Sequence, residues 1–245
     1  YNKMDENVME RLLTSDKSHE DMGMGRDDIL VHGNSGMLIR PKTPNQRKLV
    51  ELTKKNDMVF AVGPAGTGKT FIGVALAVKA LKEKRVKRII ITRPAVEAGE
   101  NLGFLPGDLK EKLDPYMQPI YDALRDMIPA ERLATYIEKG TIQIAPLAFM
   151  RGRTLDHAYV ILDESQNTTH AQMKMFLTRI GDGTRIVING DVRQTDLKTT
   201  SGLKTIIDMA YHQRMDVPHI EFTSDDIVRS GICGMWVRAF DAVGI

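Results

Sequence analysis

The sequence predicts an α/β fold: a parallel sheet flanked by helices, built around a phosphate-binding loop and preceded by a short β-hairpin. Three observations carry this. Gly63-Pro-Ala-Gly-Thr-Gly-Lys-Thr70 fits the pattern Gly-x-x-x-x-Gly-Lys-Thr, a combination expected by chance about once in a hundred chains of this length. It lies between an apolar, β-leaning run, Met58-Val-Phe-Ala-Val62, and an apolar stretch from Phe71 to Leu81 that reads as a buried helix. Beyond it, strand-like and helix-like runs alternate to the C-terminus, as a parallel sheet requires.

The elements follow in order. Residues 1–28 are charged, Met-dotted and weakly periodic, and are expected to be part helix and part disordered. Asp28-Ile-Leu-Val-His32 and Met37-Leu-Ile-Arg40 flank Gly33-Asn-Ser-Gly36, a hairpin signal. Such a hairpin can pack on the edge of the main domain or against a neighbour. The chain therefore divides into an extension, 1–42, and a main domain, 43–245. Thr43-Pro44-Asn45-Gln46 opens a helix to about Lys55, with Pro44 at its first position and Gln46 reaching back to the Thr43 N–H. Strands are predicted at 58–62, 88–92, 141–146, 159–162, 184–189 and 219–222. Helices are predicted at 71–81, within 95–139, at 169–180, at 201–211 and from Ser224 onward.

Composition narrows the class. A chain of 245 residues, 42% hydrophobic and 27% charged, suits one sizeable α/β domain with an appendage. The net charge of +2 permits a nucleic-acid partner without arguing for one. The single cysteine, Cys233, has no partner for an internal disulfide and no base nearby in sequence. It reads as a packed thiol in a reducing, cytoplasmic setting. Six scattered histidines lack metal-ligand spacing, so no zinc site is expected. No signal peptide or membrane-length apolar run is present. The chain opens at Tyr1, and a preceding segment is expected.

The motifs specify a chemistry. Strand, glycine-rich turn and helix N-terminus point backbone N–H groups and the positive helix end at phosphates. Residues Gly63, Pro64, Ala65, Gly66, Thr67, Gly68, Lys69 and Thr70, with Phe71 behind them, form the candidate nucleotide-binding set. Lys69 would reach the β- and γ-phosphates, and the Thr70 hydroxyl would ligate Mg²⁺. Val160-Ile-Leu-Asp163-Glu164 delivers two carboxylates at a strand end, where parallel sheets face their ligands. Asp163 would hold Mg²⁺ through its water shell, and Glu164 would polarise the attacking water. The same pair could instead begin a turn and cap the next helix. Asn189-Gly190-Asp191-Val192-Arg193-Gln194 ends another strand, expected between the loop strand and the Asp163 strand. Gln194 would then meet the γ-phosphate or the lytic water; a solvated Gly-Asp turn is the alternative.

Together these residues resemble the ATPase core of superfamily-one helicases. More specifically, Arg93-Pro-Ala-Val-Glu-Ala-Gly-Glu-Asn-Leu-Gly-Phe-Leu-Pro-Gly107 and Phe149-Met-Arg-Gly-Arg-Thr154 resemble the PhoH family, from about residue 40 onward. The resemblance implies a P-loop NTPase with a RecA-like sheet, hydrolysing ATP with Mg²⁺ in RNA metabolism, with links to rRNA maturation and to an endoribonuclease partner. No nuclease domain is visible in these residues. It also gives Gln46 a second role, at the adenine edge.

Helicases close a second RecA-like domain over the nucleotide, and only one is present here. The expectation is a homo-oligomer, a ring, in which an arginine enters the neighbour's site. Arg229 is favoured over Arg151 or Arg153, while Arg193 could act within its own subunit; the alternative for Arg229 is an ion pair with Asp225 or Asp226. Arg93 and Phe104 are candidates for a nucleic-acid phosphate contact and a stacking surface; the alternative for Phe104 is an anchor packing its loop onto the domain. Lys110, Lys112 and Arg125 read as a solvated face. Three functional classes remain: an RNA-stimulated ATPase, a nucleotide-switched assembly factor, and, disfavoured, a small-molecule kinase.

Overall fold

The structure, a computed structural model, describes residues 28–94, 109–197, 200–229 and 231–243. The readings of residues 1–27, of the Gly99–Gly107 loop with Phe104, and of the Cys233 side chain lie outside the described residues.

Two residues of β1 (Val31–His32) pair antiparallel with β2 (Leu38–Ile39), the predicted hairpin, around a tight turn at Asn34–Gly36. The main domain continues with α1 (Pro44–Lys55), β3 (Met58–Val62), α2 (Lys69–Lys82) and β4 (Arg88–Arg93). Next come α3 (Leu109–Met127), α4 (Ala130–Glu138), β5 (Ile142–Pro146), β6 (Ala158–Leu162) and α5 (His170–Leu177). β7 (Arg185–Gly190), α6 (Gly202–His212), β8 (His219–Glu221) and α7 (Gly231–Val243) complete it.

Strands β3 to β8 form one parallel sheet in the order β5-β4-β6-β7-β3-β8. Alternation within each strand divides the core into two layers. Val59, Ala61, Ile89, Ile91, Ile161 and Val187 face one side, with Leu49 of α1, most of α2 and Leu124 of α3. Phe60, Val62, Ile90, Val160, Leu162 and Ile188 face the other, against Met173 and Phe176 of α5 and Leu203 of α6. The hairpin joins the first layer through Leu30, Val31 and Ile39, so it packs on its own domain. Asn34 in its turn donates to the Ile128 carbonyl at 3.1 Å.

Sheet order places the site. β7 pairs with both β3 and β6, as the sequence predicts, so the phosphate loop, the acid pair and the Asp191 turn leave three adjacent strands at the same end. No described helix is long and apolar enough to cross a membrane.

Two helices differ from expectation. α5 stops at Leu177 rather than 180, because Ile180 is drawn into a parallel bridge with Leu155. The final helix does not begin at Ser224: Ser224–Asp226 is a single 3-10 turn, and the chain is extended at Ile227 (φ −68°, ψ 117°). Asp226 explains this. Its carboxylate accepts from the Thr223 N–H at 3.0 Å and from the Asn45 side chain at 2.7 Å, tying the turn to the start of α1. The chain then runs on to the phosphate loop, where the Val228 N–H donates to the Gly66 carbonyl at 3.1 Å.

Candidate active site

The phosphate loop joins β3 to the N-terminus of α2, and its shape depends on glycine. Gly68 has φ +80°, and a Cβ there would lie 2.7 Å from Gln46 Nε2. Gln46 is buried, and both ends of its carboxamide are engaged. Nε2 donates to the Thr67 carbonyl at 2.9 Å, while Oε1 accepts from the Lys42 N–H at 2.6 Å. Thr43 caps α1 by accepting from the Gln46 N–H at 3.2 Å. The predicted reach of Gln46 to the Thr43 N–H is therefore corrected to Lys42, one residue earlier. Gln46 braces the loop from beneath and does not line the cleft.

Lys69 folds over the loop that precedes it. Its ammonium donates to the carbonyls of Gly63 and Pro64 at 2.6 and 2.7 Å and contacts the Thr67 hydroxyl at 3.3 Å. Burial pushes this lysine below its ordinary pKa, against the opposing pull of Asp191, Asp163 and Glu164. A base depressed in this way costs stability while charged, a cost that is full below the folded-state value and disappears as pH rises from there to the unfolded-state value. Phosphate binding needs the charged form. ATP affinity is therefore expected to decline at a lower pH than an ordinary lysine would dictate, about tenfold per pH unit beyond the free-site pKa. Titrating a fluorescent ATP analogue from neutral to alkaline pH, with Lys69→Arg as the unshifted control, measures this.

Asp163, at the end of β6, is buried and has four donors. Oδ2 accepts from Arg93 Nε at 2.9 Å and Nη2 at 2.6 Å. Oδ1 accepts from the Thr70 hydroxyl at 2.8 Å, with Asn189 Nδ2 more distant at 3.4 Å. Arg93 is only 13% exposed in its side chain and also donates to the Tyr116 carbonyl at 2.5 Å. The expectation of a nucleic-acid phosphate contact for Arg93 is thus corrected: it is the counter-ion of Asp163. Removing one partner of such a pair leaves a buried charge, at a cost of about 3–5 kcal/mol.

Among the described residues no group of three His, Cys, Asp or Glu side chains could hold a metal on its own. The donor set still fits magnesium. Thr70 and Asp163 present one hydroxyl and one carboxylate oxygen to the same space, and Mg²⁺ characteristically takes the rest of its shell from phosphates and water. The Oδ1 of Asn189 is buried beside them without a partner.

Glu164 follows in the left-handed region, at φ +51°. Holding a non-glycine residue there costs on the order of 1–3 kcal/mol and is characteristic of functional sites. Its exposed carboxylate accepts from Gln166 Nε2 at 2.7 Å. Gln194 lines the same cleft from the turn after β7, where its N–H donates to the Asp191 carbonyl at 3.2 Å.

Arg229 also lines this cleft, in its own chain. A Cβ at Gly66 would lie 3.3 Å from Arg229 Cδ, so the side chain crosses the phosphate loop. It makes no ion pair with Asp225 or Asp226. Within the single chain Arg229 thus lies over its own phosphate loop while remaining exposed to solvent. Arg151, Arg153 and Arg193 do not line the cleft.

The cleft has a volume of about 520 Å³, within the range of small-ligand sites. Ala65, Gly66, Gly68, Lys69, Thr70 and Phe71 line it, whereas Gly63, Pro64 and Thr67 act from behind by holding Lys69. Sequence reasoning missed Gln166, although a carboxamide two residues past Glu164 was a usable signal. It also missed Asp122 and Asp126, which turn part of α3's supposedly solvated face toward the cleft.

Residues 38–241 match the family described as PhoH-like protein. The chain belongs to the PhoH family. It is 56% identical to a PhoH-like protein of Bacillus subtilis, 53% identical to one of Mycobacterium tuberculosis and 43% identical to Protein PhoH of Escherichia coli. These matches cover 88%, 87% and 90% of the chain, but only 68%, 60% and 62% of those relatives. The PhoH-family chain thus spans about three fifths to two thirds of their length. Among solved structures, the UvsW helicase of bacteriophage T4 superposes with a TM-score of 0.50 at 12% identity, covering 84% of this chain and 67% of that one. At that identity the likeness is one of fold alone, a RecA-like parallel sheet flanked by helices.

Proposed function

We propose that this chain hydrolyses ATP in the presence of magnesium and acts in RNA metabolism. The observation that carries the hydrolytic reading is the 2.8 Å bond from Thr70 to Asp163, which unites residues 93 positions apart beside Glu164. The loop N–H groups and Lys69 hold the β- and γ-phosphates. Thr70 and Asp163 hold the magnesium ion, which when bound supplies charge neutralisation on the phosphate oxygens. Glu164 orients the attacking water and takes its proton. Gln194 contacts the γ-phosphate or that water, and Arg229 offsets charge developing on the transferred group. Gln46 supports adenine binding indirectly, through the loop it braces.

RNA as the physiological partner is supported by family membership and the helicase-like fold class. Self-association is supported by α7, where Ile232, Met235, Trp236 and Phe240 form an exposed apolar stripe at helical spacing. Single-stranded RNA is expected to raise the steady-state ATPase rate severalfold. Hydrolysis indifferent to RNA would instead favour a nucleotide switch read by a protein partner, such as an endoribonuclease.

A further inference from the structure

Taking the cleft as an ATP-hydrolysing site, we infer that Gln166 is the residue that positions Glu164 and couples it to the turn carrying Gln194. The Glu164 carboxylate projects from a left-handed residue on an otherwise exposed rim. Its bond to Gln166 Nε2 is what fixes its direction, at 2.7 Å. Gln166 itself is 5% exposed, and the far end of its carboxamide is fixed as well: Oε1 accepts from the Asp191 N–H at 3.1 Å. Because that N–H can only donate, the amide oxygen must face it and the amide nitrogen must face Glu164.

The surrounding contacts make this a rigid coupling. Ser165 anchors the turn by donating to the Asn189 carbonyl at 2.6 Å. Asn167 and Asp196 exchange two hydrogen bonds of 2.9 and 3.0 Å, and the Thr195 hydroxyl donates to the Gln166 carbonyl at 3.3 Å. The stretch from Asp191 to Asp196, which holds Gln194, is therefore clasped to the turn after the acid pair at both ends and through Gln166. A displacement of that stretch when Gln194 meets a phosphate is transmitted by the Asp191 N–H to the carboxamide, and by the carboxamide to Glu164. The chemistry requires glutamine. Glutamate could accept from Asp191 but could not donate, and would set two carboxylates against each other. Asparagine is one methylene too short to span the two partners.

The test is Gln166→Glu beside Gln166→Leu, with phosphate release, binding of a fluorescent ATP analogue and thermal melting measured on the full chain. Gln166→Glu keeps the acceptor for the Asp191 N–H but sets a second carboxylate against Glu164, so the hold on Glu164 is lost at the cost of a lowered melting temperature, with the protein still folded at the assay temperature. The expected result is a fall in kcat of about a hundredfold with nucleotide affinity unchanged within about twofold, the signature of a misplaced catalytic group. Gln166→Leu loses at least as much kcat. A Gln166→Glu enzyme with wild-type kcat, or one whose nucleotide affinity falls in parallel with kcat, overturns the inference. Wild-type protein that binds but does not hydrolyse ATP overturns the underlying reading of the cleft instead.

Discussion

Glu164→Gln is expected to bind ATP with near-wild-type affinity and to hydrolyse it roughly 10²–10⁴-fold more slowly. The substitution is nearly isosteric. Its amide oxygen can still accept from Gln166 Nε2, so the left-handed turn and the rim around it are retained. Lys69, Thr70 and Asp163, which hold phosphate and metal, are untouched. What disappears is a group able to take a proton from water. The variant therefore traps nucleotide, detectable as stoichiometric ATP on the isolated protein where the wild type retains ADP or none. Wild-type turnover by Glu164→Gln would remove Glu164 from the mechanism.

Arg229→Ala is expected to cost roughly a thousandfold in kcat, the lower end of what an arginine at a transferring phosphoryl group contributes. On the geometry of the single chain, the effect is expected within one chain. Arg229 is delivered by a chain of contacts from the start of α1: Asn45 to Asp226, the extended Ile227, and the Val228 N–H on the Gly66 carbonyl. Mixing Arg229→Ala with Lys69→Ala subunits should therefore restore no activity, since every chain lacks one half of its own site. Recovery of hydrolysis in confirmed mixed assemblies would place the arginine in a neighbour's cleft.

The fold was legible because its strands are buried on both faces. Runs such as Arg88-Ile-Ile-Ile-Thr92 and Tyr159-Val-Ile-Leu162 carry no competing helical period, and the loop between Val62 and Lys69 fixes where the sheet binds its ligand. The site motifs were legible for the same reason, since a strand end and a glycine-rich turn determine where their polar residues go. What escaped depends on partners distant in sequence. Nothing near Arg93 announces that Asp163, 70 residues on, will claim its guanidinium. The same holds for Asp226, whose pairing with Thr223 satisfies a capping box whether an α-helix or a single 3-10 turn follows. Only the pull of Asn45 and Gly66 decides for the turn, and with it for an arginine over its own phosphate loop. Gln46 shows the converse: its capping position was readable, but the buried amide's choice of the Thr67 carbonyl was not.

The most direct test of the central claim is inorganic phosphate release from ATP by the purified full chain in magnesium, with Lys69→Ala alongside and single-stranded RNA added or withheld. The account predicts wild-type turnover that Lys69→Ala abolishes and magnesium removal stops. Wild-type protein that binds ATP at this cleft yet releases no phosphate under either condition would contradict it.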